Sequence, residues 1–319
     1  MGNAAAWPRI VVMGSGAVGC YYGGMLARAG APVTLIARPH HVEAIARDGL
    51  ELESTQFSGR ISVAASSEVS SARDAQWVLF SVKSGDTEAA AQSLAPHLDP
   101  QAIVIGLQNG VDNIDRIRKH LPNPVLPAVV YVAVAMAGPG IVRHTGRGDL
   151  IVGNMGRSRD FSQARLAEIA SLFERAAIPC SVSGNVEGEL WLKLLMNCAY
   201  NAISALGLSQ YKRMRASAEV QEVMKTVVRE VLAVAQASGV TMPPGDLVDA
   251  ACRLADSMPE ATSSTAQDIA RGKPSEVDHL NGFVFRRGLQ LGVPAPVNQA
   301  LHALVRLLED APSPRRGAA

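Results

Sequence analysis

Short apolar runs, each followed by a helical pattern, occupy the first half of the chain. The clearest runs cover residues 9–13, 33–36, 75–82 and 101–107. Continuous apolar runs of this length are typical of parallel strands that are covered on both faces. Because helical stretches such as 20–29 and 164–177 alternate with them, the pattern predicts βαβ units in a Rossmann-type doubly wound sheet.

The longest charge-free segment covers residues 121–142. Prolines at 122, 124 and 127 and the sequence Gly-Pro-Gly at 138–140 interrupt it, so its apolar core is too short to cross a bilayer. We expect a buried strand followed by a turn here, and a separate short strand at 150–152.

From about residue 186 the helical period dominates and strand-like runs stop. The pattern predicts an α/β domain over residues 1–184 and an all-helical domain over residues 185–319. Expected helices cover 189–206, 217–238, 246–256, 264–271, 276–291 and 297–308, with glycines and prolines between them.

The first of these helices, 189–206, is apolar almost all the way round, which is typical of a buried helix. Its polar members include Lys193, Asn197, Asn201 and Ser204, which follow one another at helical spacing and therefore form one narrow polar seam. A buried amide without a partner costs about 1–3 kcal/mol. The seam therefore faces either the polar groups of neighbouring helices or a ligand.

The first apolar run ends at a glycine-rich sequence, GSGAVG, and a helix follows. The candidate cofactor-binding residues are Gly14, Ser15, Gly16, Ala17, Val18 and Gly19. Strand, GxGxxG and helix in this order indicate a dinucleotide site, where the backbone approaches a pyrophosphate at the helix N-terminus. A tight structural turn is the alternative.

The second strand of the predicted sheet ends at Ala37-Arg38-Pro39, where an NAD-binding protein would have Asp or Glu. A guanidinium can bind a 2′-phosphate through charge-assisted hydrogen bonds. Arg38 therefore favours NADP(H), although a solvated loop arginine is the simpler alternative.

Two more polar residues follow buried strands. Lys83 ends the run at 75–82, and Asn109 lies in Gln-Asn-Gly after the run at 101–107. Ligands of open α/β sheets bind outside the carboxyl ends of the strands. We therefore expect both near the nicotinamide, although each alone could be a surface lysine or a turn asparagine.

Composition narrows the function classes. The chain has 48% hydrophobic residues, 4% aromatic residues and a net charge of +1. These values argue against a nucleic-acid or membrane-surface partner. Four dispersed cysteines without a CxxC pair, and histidines without ligand spacing, predict neither a metal site nor disulfides. The N-terminal sequence does not have the pattern of a signal peptide. Dispersed cysteines suit a reducing cytoplasm, so a cytoplasmic protein is expected.

These motifs, with SSTAQD at 263–268 and ExDxxNG at 276–282, resemble the ketopantoate reductase (2-dehydropantoate 2-reductase) family in order and spacing. The resemblance implies NADPH and a 2-oxo acid in a cleft between a Rossmann domain and a helical domain. It implies catalytic roles for Lys193, the general acid, and for Glu276, which lies beside that lysine and the cofactor. Asn197, Asn201, Ser264 and Asn109 would bind substrate, and Asn109 would also contact the cofactor.

Two residues depart from the family pattern: Ala202 stands where Pro is frequent, and Thr265 where Met is frequent. Both are expected to affect pocket shape, which leaves another 2-oxo acid open as substrate. Both Ser263 and Ser264 are good helix caps, so capping does not distinguish them. Ser264 is chosen because it lies twelve residues before Glu276, which fits the family spacing better.

Hydride transfer to a ketone places negative charge on the ketone oxygen, which an ammonium can stabilise and protonate. A lysine with an ordinary pKa of about 10.4 is protonated at pH 7. The predicted function is therefore NADPH-dependent reduction of ketopantoate to pantoate. A reductase of another 2-oxo acid is the second hypothesis, and a non-catalytic NADP-binding sensor is the third. A homodimer formed through the helices of the second half is expected by analogy only.

Overall fold

The computed structural model describes residues 6–54, 57–156 and 160–310, and the chain divides into two compact units. The first unit is Met1–Val186 and the second is Glu187–Ala319.

The first unit alternates strands and helices as the apolar runs predict. Its strands are β1 (Ile10–Met13), β2 (Val33–Ile36), β3 (Leu50–Ser54), β4 (Ser58–Ile61), β5 (Ala64–Ser66), β6 (Trp77–Phe80), β7 (Ile103–Gly106), β8 (Val125–Gly138), β9 (Ile141–Val152) and β10 (Cys180–Val182). Its helices are α1 (Ala17–Arg28), α2 (Pro39–Asp48), α3 (Thr87–Leu94), α4 (Asn113–Arg118) and α5 (Gln163–Arg175).

The order of the parallel strands confirms the Rossmann-type fold. Strands β5, β2, β1, β6, β7 and β8 lie side by side and pair in parallel. This is the doubly wound order in which a dinucleotide binds where the strand order reverses, beside the first strand. The glycine-rich sequence that follows β1 lies at that position.

Both faces of this parallel sheet are covered, which explains why its strands lack polar alternation. Ile10 and Val12 of β1 belong to a core cluster that includes α1 and α5. Val11 and Met13, on the opposite face, belong to a cluster with α3 and α4. All four residues of β1 are buried, so every position of the strand contributes to a core.

The charge-free segment continues further than the sequence pattern predicted. Only the start of β8 pairs with β7, from Val125 to Pro127. From Ala128 onward β8 pairs antiparallel with β9, which begins at Ile141 and ends at Val152. The expected short strand at 150–152 is therefore wrong, because it is the end of a twelve-residue strand.

The sheet also curves back on itself. Strands β4 and β5 lie at opposite ends of the strand order, yet only residues 62 and 63 separate them in the chain. Three Cα steps reach about 11 Å at most, whereas a flat sheet would separate these edges by roughly 40 Å. Helix α1 lies inside the curve, where it packs against β1, β2, β3, β4, β6, β8 and β9.

The second unit confirms the predicted helical region. It contains α6 (Val186–Leu206, whose first residue closes the first unit), α7 (Tyr211–Ala216), α8 (Ala218–Ala237), α9 (Leu247–Ser257), α10 (Ser264–Ala270), α11 (Asn281–Leu291) and α12 (Pro296–Asp310). Helix α7 was not predicted. Among the described residues no helix is both long enough and apolar enough to cross a membrane.

The predicted helix over 276–291 is wrong in its first turn. Residues Val277–His279 form a separate 3-10 turn, and Leu280 has φ −111° and ψ −103°, which no helix allows. Helix α11 therefore begins at Asn281. Glu276 consequently precedes a turn instead of opening a long helix.

Candidate active site

The glycine-rich loop after β1 uses its three glycines in three ways. Gly14 has φ +91°, and a Cβ there would lie 2.5 Å from Val82 Cγ1. A Cβ on Gly19 would lie 2.7 Å from the Gly14 carbonyl oxygen. Gly16 differs, because a Cβ there would meet no described neighbour within 4 Å. The tip of the loop is therefore open, while its two flanking glycines permit the turn and the close packing of helix on strand.

The hydrogen bonds of this loop determine which N–H groups can reach a ligand. Ser15 is buried and its N–H donates to the Ile36 carbonyl, and the Gly16 N–H donates to the Gly14 carbonyl. The available donors are therefore those of the first turn of α1, which a helix leaves unpaired. No side chain of the described residues caps that turn, and it contains no acidic residue. Ser15, a candidate cofactor contact, offers neither its N–H nor an exposed side chain.

Arg38 lies two residues beyond β2, beside the glycine-rich loop. Met13 and Ile36 are register partners, so β1 and β2 end together. Arg38 is exposed at the start of α2, and within residues 6–54, 57–156 and 160–310 its side chain makes no hydrogen bond or ion pair. A guanidinium in this position can receive a 2′-phosphate without first breaking an ion pair.

Lys83 and Asn109 lie at the same edge of the sheet as the glycine-rich loop. Phe80 pairs in register with both Met13 and Gly106, so β1, β6 and β7 end side by side. Lys83 follows β6 by three residues and is exposed. Asn109 follows β7 by three residues, is half-buried, and precedes Gly110, whose φ is +95°.

A buried cluster of polar side chains connects the loops that carry Lys83 and Asn109. We call it the loop network. Asn113 Nδ2 donates to the Asn109 carbonyl at 2.6 Å and to Ser84 Oγ at 3.2 Å. Thr87 Oγ1 donates to Asn113 Oδ1 at 3.0 Å, and Gln108 Nε2 donates to Thr87 Oγ1 at 2.8 Å. The side chains of Asn113, Ser84, Thr87 and Gln108 are all buried.

Arg116 lies at the outer side of the loop network and hydrogen-bonds to two of its members. Its guanidinium donates to the Ser84 carbonyl and to Asn113 Oδ1, and it forms a bidentate pair with Glu88 at 2.6 and 2.7 Å. The hydrogen bond from Arg116 lowers the pKa of Glu88 to about 2. The loop network is not evident in the sequence, because each member alone has the features of an ordinary cap or turn residue.

In the helical unit the polar seam of α6 divides into two parts. Lys193 and Asn197 are half-buried, whereas Asn201 and Ser204 are buried. Ser204 Oγ donates to the Ser209 carbonyl at 2.8 Å and accepts from the Ser263 N–H. The C-terminal end of the seam is therefore structural, and its half-buried members are Lys193 and Asn197.

The two serines at the start of α10 have different surroundings. Ser263 is buried, caps α10 by accepting from the Ala266 N–H, and donates to the Asn201 carbonyl. Ser264 is exposed, and Asn201 Nδ2 lies 3.4 Å from its hydroxyl. Only Ser264 therefore has a hydroxyl that a ligand can contact.

Ala202 and Thr265, the two departures from the family pattern, are both about 1% exposed or less. Side chains this deeply buried present no surface to a ligand. That the two residues affect pocket shape stays a prediction, and such an effect would pass through the side chains that pack against them.

Glu276 is half-buried just before the 3-10 turn at Val277–His279. Asp278, in that turn, accepts from His302 Nε2 at 2.6 Å and lies 3.5 Å from Arg306. Burial alone would raise the pKa of Asp278, but His302, Arg306 and Arg286 lower it overall. These contacts anchor the turn that carries Glu276 to α11 and α12.

A second buried cluster, the helix network, joins four helices of this unit. Asn281 Nδ2 donates to the Cys198 carbonyl of α6 at 3.2 Å and to Asn298 Oδ1 at 3.0 Å. Glu230 of α8 accepts from the N–H groups of Val297 and Asn298, both at 2.9 Å, and from Asn298 Nδ2 at 2.8 Å. The helix network therefore anchors α6 and caps α12.

The residues around the glycine-rich loop fit a dinucleotide. The open space at Gly16, the uncapped helix end and the guanidinium of Arg38 offer room, N–H donors and a cation. Among the described residues no group of three or more His, Cys, Asp or Glu side chains could hold a metal ion.

Comparison with known proteins agrees with this arrangement. The family description "Ketopantoate reductase PanE/ApbA" matches residues 10–157, and its C-terminal counterpart matches residues 185–309. A 2-dehydropantoate 2-reductase of Halobacterium salinarum is 32% identical over 304 residues, which cover 94% of this chain and 99% of the relative.

Two solved structures are similar over almost the whole chain. A PanE/ApbA family ketopantoate reductase from Ralstonia eutropha JMP134 is 51% identical, with a TM-score of 0.88 over 94% of this chain and 98% of its own. A ternary structure of D-mandelate dehydrogenase with NADH and anilino(oxo)acetate shares the fold, with 23% identity and a TM-score of 0.87 over 95% and 98%. The chain therefore belongs to the ketopantoate reductase family of oxidoreductases.

Proposed function

We propose that this protein reduces 2-dehydropantoate to pantoate with NADPH, and that Lys193 is the general acid. The observation that carries the proposal is the seam of α6, where Lys193 and Asn197 are half-buried one helical turn apart, on a half-buried stripe that includes Leu192 and Met196. An ammonium and an amide placed together in this way can hydrogen-bond to the oxygens of a small acid. The similarity to 2-dehydropantoate 2-reductases supports ketopantoate as that acid.

The proposed chemistry needs little from the protein beyond binding, orientation and charge. A bound nicotinamide supplies the hydride for the keto carbon. The Lys193 ammonium hydrogen-bonds to the keto oxygen, stabilises the negative charge that develops there, and donates the proton. Glu276, which is half-buried in the same unit, supports the proton transfer or the binding of substrate.

The substrate's carboxylate and hydroxyl need hydrogen-bond donors and acceptors at a set distance from the keto group. Asn197, Asn201 and Ser264 supply them, and the contact between Asn201 Nδ2 and Ser264 Oγ brings two of these groups together. Asn109 and Lys83 serve the nicotinamide end from the edge of the parallel sheet, which their position after β7 and β6 supports.

NADPH is favoured over NADH because of Arg38. The guanidinium follows β2, and no carboxylate stands at that position to bind a free ribose hydroxyl. NADH is the competing hypothesis, because D-mandelate dehydrogenase, which has this fold, was solved with NADH.

The first experiment follows NADPH absorbance with the purified protein and 2-dehydropantoate. Replacing Lys193 with Ala should lower kcat by about 10²–10⁴-fold, the usual range for a general acid, while NADPH still binds. Lys212→Ala is the matched control, because Lys212 is an exposed lysine of the same unit that pairs with Glu260. Near wild-type turnover by the Lys193 variant would disprove the assigned role.

The second experiment compares NADPH with NADH in wild type and Arg38→Ala. Loss of a charge-assisted contact worth about 1.5–3 kcal/mol should raise the KM for NADPH by about 10- to 100-fold and leave the KM for NADH unchanged. Arg47→Ala, which removes an exposed arginine of α2 that pairs with Asp48, is the control. A wild-type preference for NADH would overturn the NADP assignment but not the reductase assignment.

The same assay separates the remaining hypotheses. Oxidation of cofactor only with other 2-oxo acids would indicate a reductase with a different substrate, and tight binding without turnover would indicate a sensor. A homodimer and a cytoplasmic location stay predictions, and light scattering of the purified protein would test the first.

A further inference from the structure

The loops that carry Lys83 and Asn109 leave the sheet before these residues. The ladder between β6 and β7 ends at Phe80 and Gly106, so strand pairing does not position either loop. Beside backbone bonds such as the one from the Asp86 N–H to the Lys83 carbonyl, side-chain hydrogen bonds contribute to their conformation. The loop network supplies those bonds.

Asn113 is the centre of the loop network. Its amide nitrogen donates to the Asn109 carbonyl and to Ser84 Oγ, and its amide oxygen accepts from Thr87 Oγ1 and Arg116 Nη1. Ser84 Oγ donates to the same Asn109 carbonyl at 3.1 Å. One side chain therefore connects the residue after Lys83 to Asn109 and leaves no hydrogen-bonding group unused.

We propose that Asn113 is a positioning residue for Asn109: its amide nitrogen fixes the Asn109 backbone and thereby the side chain that serves the nicotinamide end. This inference rests on the proposed function. The 2.6 Å bond to the Asn109 carbonyl is the specific contact. It lies next to Gly110, whose positive φ turns the chain back toward α4.

The substitution Asn113→Asp separates this role from a general structural one. The new carboxylate would still accept from Thr87 and Arg116, but it cannot donate to the Asn109 carbonyl and would repel it. Asn113→Asp should therefore fold while kcat/KM for the 2-oxo acid falls by about 10- to 100-fold, as displaced catalytic groups commonly cause. Glu88→Gln is the matched control, because this substitution alters only the outer contact of Arg116.

The double variant decides whether Asn113 acts through Asn109. If it does, Asn113→Asp should cost little in a protein that already contains Asn109→Ala, because the residue it positions is absent. Equal fold losses in the two backgrounds would overturn the proposal.

Backbone amide hydrogen exchange of the cofactor-free protein tests the contact between Asn113 and Asn109 without a turnover measurement. Amides of residues 107–112 should exchange faster in Asn113→Asp than in wild type or Glu88→Gln. Unchanged exchange and unchanged turnover would also overturn the proposal. A wild-type protein that oxidises no NADPH would instead disprove the proposed function, and in that case faster exchange would still establish the contact.

Discussion

The two buried polar networks use the same chemistry for different purposes. The loop network holds two loops of the first unit, and the helix network holds helices of the second; their asparagines, Asn113, Asn281 and Asn298, are almost fully buried. Backbone groups inside a helix pair with one another and only the helix ends need other partners, whereas loops need such partners throughout. The helix network therefore determines how helices pack, and the loop network determines where particular backbone atoms lie.

This contrast predicts that damage to the helix network mainly lowers stability, whereas damage to the loop network mainly lowers turnover. The largest expected effect is that of Glu230→Ala. The change removes the acceptor of three buried donors at the start of α12. At about 1–3 kcal/mol for each unsatisfied group, the free energy of unfolding should fall by roughly 3–5 kcal/mol.

Urea denaturation of the whole chain measures that fall, and Glu222→Ala, an exposed position on the same helix, is the control. Turnover per folded molecule should stay within about threefold of wild type, because the Glu230 carboxylate binds the start of α12 and not the seam of α6. A loss of turnover per folded molecule well beyond threefold would contradict the contrast between the two networks.

Asn281→Ala should lower the free energy of unfolding by less than Glu230→Ala does, and it therefore tests the comparison more sharply. The variant loses the bonds to the Cys198 carbonyl and to Asn298, but it also removes a buried amide oxygen, Asn281 Oδ1, that has no hydrogen-bond partner in the described part of the chain. We therefore expect a loss of about 1–2 kcal/mol, measured by the same denaturation. Cys198 follows Asn197 in α6, so an increase in substrate KM that exceeds the effect of Asn113→Asp would reverse the proposed division of roles.

The smallest expected effect is the acid sensitivity of the pair between Glu88 and Arg116. The folded pKa of Glu88 is about 2, below its ordinary value of 4.5. The pair therefore stabilises the fold fully above pH 4.5 and loses that contribution as the pH falls toward 2. Since the Glu88 side chain is 44% exposed, the contribution should be below about 1 kcal/mol.

Glu88→Gln should remove this pH dependence. The free energies of unfolding of wild type and variant should differ by a constant amount from about pH 5 to 7 and converge by about pH 2. A difference that grows as the pH falls would mean that Glu88 is protonated in the folded protein at a higher pH than its contacts imply.

The sequence predicted the parts of the fold that depend on local pattern. The strands of the parallel sheet, the glycine-rich loop and the helical second half follow from apolar period and from glycine position, both of which are local. The hairpin of β8 and β9 did not follow, although β9 does alternate between buried and exposed positions. His144 and Gly148 occupy two of its buried positions, which hides the alternation from a hydrophobicity pattern.

The networks could not be predicted at all, because they depend on contacts between distant residues. Asn113 and Ser84 are 29 positions apart, and Asn281 and the Cys198 carbonyl are 83 apart. The choice between Ser263 and Ser264 is similar: both are capping residues in the sequence, and only the packing of α10 against Asn201 gives them different surroundings.

The curved sheet has a consequence for how the nucleotide is received. Helix α1 packs against strands from both ends of the sheet, so its N-terminus cannot slide or tilt when a phosphate arrives. The entropic cost of ordering that end was met when the chain folded. The phosphate end of this site is therefore preformed, and binding a dinucleotide requires little further ordering of the backbone there.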